Sequence, residues 1–327
     1  MKALVTGGGG FLGKKIILQL LERGNQVRSF SRGTYPALQK LGVELIRGDL
    51  NDLNSVKKAC ENCDAVFHVA GRVGFQGAYK EFFEANVQGT LNIIEACRTH
   101  GIPKLIYTSS PSVIFDGKDQ EGIDERAPHP EFFMTHYQST KAEAEKYILE
   151  ANDNKLATVS LRPHLIWGPG DPHLIPRILK MRKEGKLRFI GKALNLIDAV
   201  FIDNAAMAHL AALDRLEIGS LISGKAYFVT NQEPWPIKKI INRILEAANL
   251  PVNNRHIPVP LAYVAGSILE VFYRVFHLSG EPRLTRFTVS QLSKAHWYDA
   301  SRSQNELGYR PKISMDEGFE ILRKAFQ

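Results

Sequence analysis

Apolar positions along the 327-residue chain follow two alternating rhythms. Short, nearly continuous apolar runs at Ala3–Val5, Gln26–Phe30, Val43–Arg47, Ala65–Ala70, Leu105–Thr108 and Ala157–Arg162 predict buried strands. Between them, apolar residues recur at three- and four-residue spacing, as Ile16, Ile17, Leu20 and Leu21 do. This predicts helices after the first strand and over Asp52–Cys60, Phe82–His100 and Thr135–Glu150. Strands alternating with helices imply βαβ units, hence an α/β fold with a doubly wound parallel sheet and helices on both faces. Such a sheet binds ligands at the carboxyl ends of its strands.

Beyond Pro163 the rhythm loosens. Gly168-Pro169-Gly170-Asp171-Pro172 reads as a loop. Helices are expected over Leu174–Glu184, Asn204–Leu213 and Pro236–Ala248, and strands over Phe201–Asp203 and Lys225–Thr230. Residues 1–165 therefore form the expected dinucleotide-binding unit. Residues 166–327 form a smaller substrate lobe that returns segments to the sheet. Leu261–Leu278 is the most apolar helical stretch. It places Leu261, Val264, Ala265, Ile268, Leu269, Phe272 and Val275 on one face and Ser267, Glu270, Arg274 and His277 on the other. It is too short and too charged to span a bilayer. Packing on the core or over an apolar pocket is the first reading, and peripheral docking on a membrane surface the second.

Composition narrows the class. A hydrophobic content of 44% suits a sizeable core. Three cysteines, Cys60, Cys63 and Cys97, make no disulfide framework and point to a reducing, cytoplasmic setting. Cys60-x-x-Cys63 lacks a second pair, so it reads as structural and no metal site is expected. The chain opens directly on a strand, and no signal peptide is expected. The formal charge is +8, densest over Arg177–Arg188. No aromatic interleaving or nucleic-acid motif accompanies that run, so it reads as a solvated helix face and nucleic acid is not an expected partner.

The first candidate chemistry is the turn after the first strand, Thr6-Gly7-x-x-Gly10-x-x-Gly13. Glycines allow a tight turn and close approach of a pyrophosphate, which then meets the free N–H groups of a helix N-terminus. Gly7, Gly10, Phe11, Leu12 and Gly13 are the expected contacts. An acid near the end of the second strand would bind the ribose 2′-hydroxyl of NAD. That region reads Arg28-Ser29-Phe30-Ser31-Arg32-Gly33 instead. Ser31 and Arg32 suit a 2′-phosphate, which favours NADP(H). Asp49 is placed for the adenine edge or for capping the next helix.

Tyr137 and Lys141 are four residues apart, on one face of a helix. A free tyrosine has a pKa near 10, so a neighbouring ammonium must favour its phenolate if it is to serve as acid and base. Ser109 and Ser110 end the fifth strand, where one hydroxyl can hold a substrate carbonyl.

Taken together, Thr6-Gly-x-x-Gly-x-x-Gly13, Asp49-Leu50, Ala70-Gly71, Asn86-x-x-Gly89-Thr90, Thr108-Ser-Ser110, Tyr137-x-x-x-Lys141 and Arg162-Pro163 run in the order of the extended short-chain dehydrogenases/reductases, which the whole chain resembles. The resemblance implies Tyr137 as general acid/base, Lys141 on the nicotinamide ribose, and Ser110 rather than Ser109 as the catalytic hydroxyl. It implies cofactor contacts from Leu50, Ala70 and Gly71, an Asn86 of proton-relay or structural kind, and Pro163 against the nicotinamide. His68, before Val69 and Ala70, departs from the usual residue.

Leu165-Ile-Trp-Gly-Pro-Gly-Asp171 and Ala295-His-Trp-Tyr298 resemble the 3β-hydroxysteroid dehydrogenase/isomerase-like branch. Tyr35-Pro-x-Leu38, Arg47-Gly-Asp-Leu50 and Gly280-Glu-Pro-x-Leu-Thr-Arg-Phe287 are similar to its bacterial members that reduce 2-alkyl-3-oxoalkanoates with NADPH. The implied substrate is lipid-like, and the implied assembly is a homodimer through the helices at Phe82 and Thr135. Two other readings stand beside this one. One is an NAD-dependent 3β-hydroxysteroid or sterol-carboxylate dehydrogenase, and the other a nucleotide-sensing scaffold without turnover.

Overall fold

The computed structural model describes residues 1–74, 77–276, 278, 282 and 284–327, with only the backbone at Arg274. His277, Gly280 and Glu281, named in the sequence patterns, lie outside the described residues. Seven parallel strands form a Rossmann sheet: β1 (Lys2–Thr6), β2 (Gln26–Ser31), β3 (Glu44–Arg47), β4 (Ala65–His68), β5 (Lys104–Thr108), β6 (Ala157–Pro163) and β7 (Lys225–Val229). Their spatial order is β7-β6-β5-β4-β1-β2-β3. The order reverses between β1 and β4, which opens a crevice at their carboxyl ends. β4 and β6 are buried at every residue, because helices cover both faces of the sheet.

The helix Phe11–Glu22 buries Leu12, Ile16, Ile17 and Leu20 and packs on the helix Ile202–Arg215. The stretch read as one helix over Phe82–His100 begins at Tyr79 and carries a π-helical turn at Phe83–Gln88. It continues as Gly89–His100 and stops at Gly101, in the left-handed region at φ 64°. A π turn inserts one residue per turn and rotates the rest of the helix about its axis. Hydrophobic spacing alone does not reveal it.

The second half adds a four-stranded sheet built from Gln120–Ile123, Leu196–Ile197, Trp235–Pro236 and His296–Tyr298. Gln120–Ile123 falls between the expected elements, its pattern too short to register. Asp203 lies in a helix and not in a strand, since the strand is Val200–Phe201 and the helix starts at Ile202.

The helix Val259–Val275 corrects its first reading in one respect, the direction of its apolar stripe. Its small and polar side packs inward: Ala262 is buried, and Gly266 sits so close that a Cβ would lie 3.1 Å from the Thr285 carbonyl carbon. Glu270 is drawn in by Arg286, accepting from its backbone N–H at 2.6 Å and its Nε at 2.8 Å. The apolar stripe therefore faces out, not onto the core.

Candidate active site

The candidate cofactor contacts follow the strands' carboxyl ends, and the helices carrying Asn86, Tyr137 and Lys141 bring those residues to the same side. Gly7 comes directly after β1 at φ 67°, where L side chains are strained, and a Cβ there would meet Ala70 Cα at 3.0 Å. Gly13 is tighter still, with a Cβ falling 2.4 Å from the Gly7 carbonyl oxygen. Gly10 is the N-cap of the helix Phe11–Glu22, and no side chain caps that helix. Leu12 points into the core, so it offers the turn only its backbone. The result is a cradle of backbone at a helix N-terminus, with the Tyr35 ring against Gly9 at its rim, where a Cβ would lie 2.0 Å from the ring, and the backbone N–H groups of that terminus suit a pyrophosphate.

Past β2, Ser31 donates to the Gly33 carbonyl oxygen at 3.1 Å, and Arg32 is exposed. Ser31 pairs in register with Arg47, whose Nε donates to the Arg32 carbonyl at 2.9 Å. Arg47 thus joins Arg32 at this rim, a cation that sequence reading did not single out. Asp49 does not cap the next helix; Asp52 does, accepting from Asn54 N at 3.1 Å. Asp49 accepts from Asn51 N at 3.0 Å, and the Leu50 carbonyl is held by Asn92 Nδ2 at 2.6 Å.

Past β4, Thr6 Oγ1 accepts from the N–H groups of Val69 and Ala70, each at 3.1 Å. It lies 2.9 Å from His68 Nδ1, and His68 Nε2 lies 3.0 Å from Thr90 Oγ1. Thr90 Oγ1 donates its one proton to the Asn86 carbonyl at 2.6 Å. Thr90 must therefore accept from His68 Nε2–H, and His68 Nδ1 must accept from the Thr6 hydroxyl. Burial, with a smaller push from Lys141, lowers the His68 pKa to about 3. His68 is a neutral brace between β1, β4 and the helix of Thr90. Asn86 uses its whole amide: Oδ1 accepts from Arg72 N at 2.7 Å, and Nδ2 donates to the Arg72 carbonyl and to Thr140 Oγ1, each at 3.1 Å. The π turn delivers Asn86 to this clamp, which fixes the backbone after Ala70-Gly71 against the helix His136–Glu150. Arg72 itself pairs with Glu81 at 2.7 Å.

Past β5, Ser110 and Tyr137 come together. Thr135 caps the helix His136–Glu150, accepting from Gln138 N at 3.2 Å, and so sets Tyr137 in its first turn. Burial raises the Tyr137 pKa, and a hydrogen bond with Ser110 pulls it partly back. Ser110 is also the N-cap of the short helix Pro111–Ile114. Ser109 is only 4% exposed and lies beside Glu145 instead. Lys141 is buried one turn on from Tyr137, and Gly71 is close enough that a Cβ would lie 3.9 Å from its Nζ. Pro163 closes β6, and His164 N donates to the Val229 carbonyl at 3.0 Å.

Below this row lies a pair with no local sequence signal. Arg162 Nη2 donates to Glu145 Oε1 at 2.6 Å and its Nε to Oε2 at 3.0 Å, while Ser160 donates to Oε2 at 2.8 Å. Burial pushes the Glu145 carboxyl upward, but Arg162, His129 and Ser109 together outweigh it and hold it well below the carboxylate range. The helix carrying Tyr137 and Lys141 is thereby bolted to β6.

An open cavity of about 1020 Å³ adjoins the first turn of that helix. His136 and Ser139 line it from the helix that carries Tyr137, Phe132, Phe133 and Met134 from the preceding loop, and Tyr263, Tyr273 and Phe287 from the second half.

A model of the 3-beta hydroxysteroid dehydrogenase/isomerase family matches residues 4–261. The chain is 46% identical to a 2-alkyl-3-oxoalkanoate reductase of Stenotrophomonas maltophilia, over 99% of each chain. It is 34% identical to the decarboxylating sterol-4-alpha-carboxylate 3-dehydrogenase of Mus musculus, over 99% of this chain and 91% of that one. Among solved structures, the UDP-glucose 4-epimerase of Thermus thermophilus in complex with NAD superimposes with a TM-score of 0.76 at 25% identity, over 100% of this chain and 99% of that one.

Proposed function

The chain belongs to the 3-beta hydroxysteroid dehydrogenase/isomerase family, and from that premise we propose that it is an NADP(H)-dependent oxidoreductase. It reduces the 3-keto group of a long-chain 2-alkyl-3-oxoalkanoate to a secondary alcohol. The observation that carries this reading is the grouping at the carboxyl end of β5, where Lys141 Nζ donates to the Thr108 carbonyl at 2.6 Å, one helical turn from Tyr137, and Ser110 acts on the Tyr137 hydroxyl. The near-half identity to a reductase of that name supports the substrate class.

When bound, the nicotinamide cofactor supplies the hydride. Gly7, Gly10 and Gly13 leave room for its pyrophosphate, and Arg32 with Arg47 offers two cations where a 2′-phosphate reaches the rim. Ser110 holds the ketone oxygen by a hydrogen bond, and Tyr137 donates the proton to that oxygen as the hydroxyl forms. Lys141 then favours the phenolate left on Tyr137. The aromatic walls accept an alkyl chain.

The sterol dehydrogenase relative favours a second reading, NAD-dependent oxidation of a 3β-hydroxysteroid. The lack of an acid from Arg28 to Gly33 weighs for NADP(H). Following absorbance with NADPH and a 2-alkyl-3-keto acid, beside NAD and a 3β-hydroxysteroid, separates the two. Turnover is expected in the first pairing, and turnover in the second alone overturns the proposal. Binding of NADPH with no turnover in either leaves the scaffold reading.

A further inference from the structure

The helix Val259–Val275 is amphipathic, but it is turned the wrong way for a water-facing helix. Its outward stripe is Leu261, Val264, Ile268, Val271, Phe272 and Val275, exposed by 57, 55, 63, 58, 48 and 61%. Leu261, Val264, Ile268 and Val271 succeed one another at three- and four-residue steps, Phe272 follows Ile268 by four and Val275 follows Phe272 by three, so the six form one continuous apolar ridge. A single exposed leucine needs no explanation, whereas a contiguous ridge marks a surface that is covered in use.

The charge beside the ridge indicates its cover. The strand His256–Ile257, which leads into the helix, pairs with Phe189–Ile190, and a Cβ on Gly191 would lie 3.0 Å from Val259. This seats 189–191, the end of the basic segment 177–192, against the N-terminal end of the ridge. That segment holds seven basic residues (Arg177, Lys180, Arg182, Lys183, Lys186, Arg188 and Lys192) against one acid, Glu184. Lys183, Lys186, Arg188 and Lys192 are exposed. A second copy of the chain seated on the ridge would bring two such basic segments toward each other. An anionic lipid surface meets both needs, apolar area for the ridge and negative charge for the lysines. No described helix is long and apolar enough to cross a membrane, so the geometry is that of a helix lying in the interface.

We propose that this ridge docks the protein on an anionic lipid surface, with the basic segment 177–192 beside it. The helix that carries the ridge also walls the cavity through Tyr263 and Tyr273. Docking thus sets the cavity's flank against the lipid. The further step, that a long-chain substrate enters from that side, rests on the reductase reading.

The test is flotation of the full chain with vesicles of mixed phosphatidylcholine and phosphatidylglycerol, and with phosphatidylcholine alone. The native protein should float with the mixed vesicles and do so at least roughly tenfold less with neutral ones or in high salt. Val264→Glu with Ile268→Glu should lose flotation while its thermal unfolding and NADPH turnover stay native. Lys183→Glu with Lys186→Glu should weaken flotation on mixed vesicles only. A native protein that never floats, or a ridge variant that floats like the native, overturns the proposal. So does a native dimer that the ridge variant splits while neither floats, which assigns the ridge to a second copy. Because flotation needs no turnover, failure of the substrate assignment leaves this result readable.

Discussion

Lys141 Nζ donates to the Thr108 carbonyl oxygen at 2.6 Å and stands 4.1 Å from the centroid of the Tyr107 ring. The ammonium is held against β5 by a carbonyl dipole and a ring face, in a site that otherwise disfavours charge. Burial lowers its pKa from 10.5 to about 7, and Glu145 pulls it back only in part.

This shift sets the sign of a pH dependence. The folded pKa lies below the unfolded one, so the contribution to stability is full above 10.5 and is lost as pH falls toward 7. Lys141→Met has no proton to take up. Its stability relative to the native protein should rise as pH is lowered through that window, while turnover is lost. Urea unfolding at a series of pH values checks this, and a pH-independent difference refutes it.

Tyr137→Phe removes the proton donor and keeps the ring. A loss of ~10²–10⁴-fold in kcat is expected, with NADPH affinity unchanged by fluorescence titration. Ser110→Ala removes the hydrogen bond that offsets burial at Tyr137. The alkaline limb of its pH–rate profile should therefore move upward, along with a fall in kcat.

Arg32→Asp reverses the charge at the rim after β2. The loss of a charge-assisted contact worth about 1.5–3 kcal/mol should weaken NADPH roughly ten- to hundredfold and improve NADH. Arg47→Ala should give a smaller loss, since Arg47 also fixes the Arg32 carbonyl. Equal affinity of the native protein for both cofactors would remove the argument from these arginines.

Glu145→Gln leaves the Arg162 guanidinium buried without its counter-charge. Destabilisation of about 3–5 kcal/mol is expected from removing one partner of a buried pair. Replacing both Glu145 and Arg162 by methionine should restore much of it, because neither charge is then stranded. Denaturant midpoints of the three chains decide the point.

The elements nearest the cofactor were legible because their signals are local. A glycine spacing, an apolar run and a Tyr-x-x-x-Lys step each lie within a few residues of sequence. The residues that brace them were not. His68 meets Thr6 and Thr90 across strands and a helix, and Arg162 meets Glu145 seventeen residues away, so no period announces either. The helix Val259–Val275 shows a further limit. Its periodicity separated an apolar from a polar side, though Val271 joins the outward stripe and Ala265 and Leu269 are half-buried; which side turns inward was decided by Gly266 and by the Glu270–Arg286 pair.

The run from Thr6 through His68 and Thr90 to the Asn86 carbonyl has all its protons pointing one way. A wire of hydrogen bonds conducts only if each link can reverse, and this one ends on an amide oxygen that has no proton to return. With the His68 ring uncharged down to about pH 3, it is an insulator laid beside the reaction centre. Proton traffic is thereby left to Tyr137, Ser110 and Lys141, and a basic limb in the rate profile can be read as theirs without correction for the histidine next door.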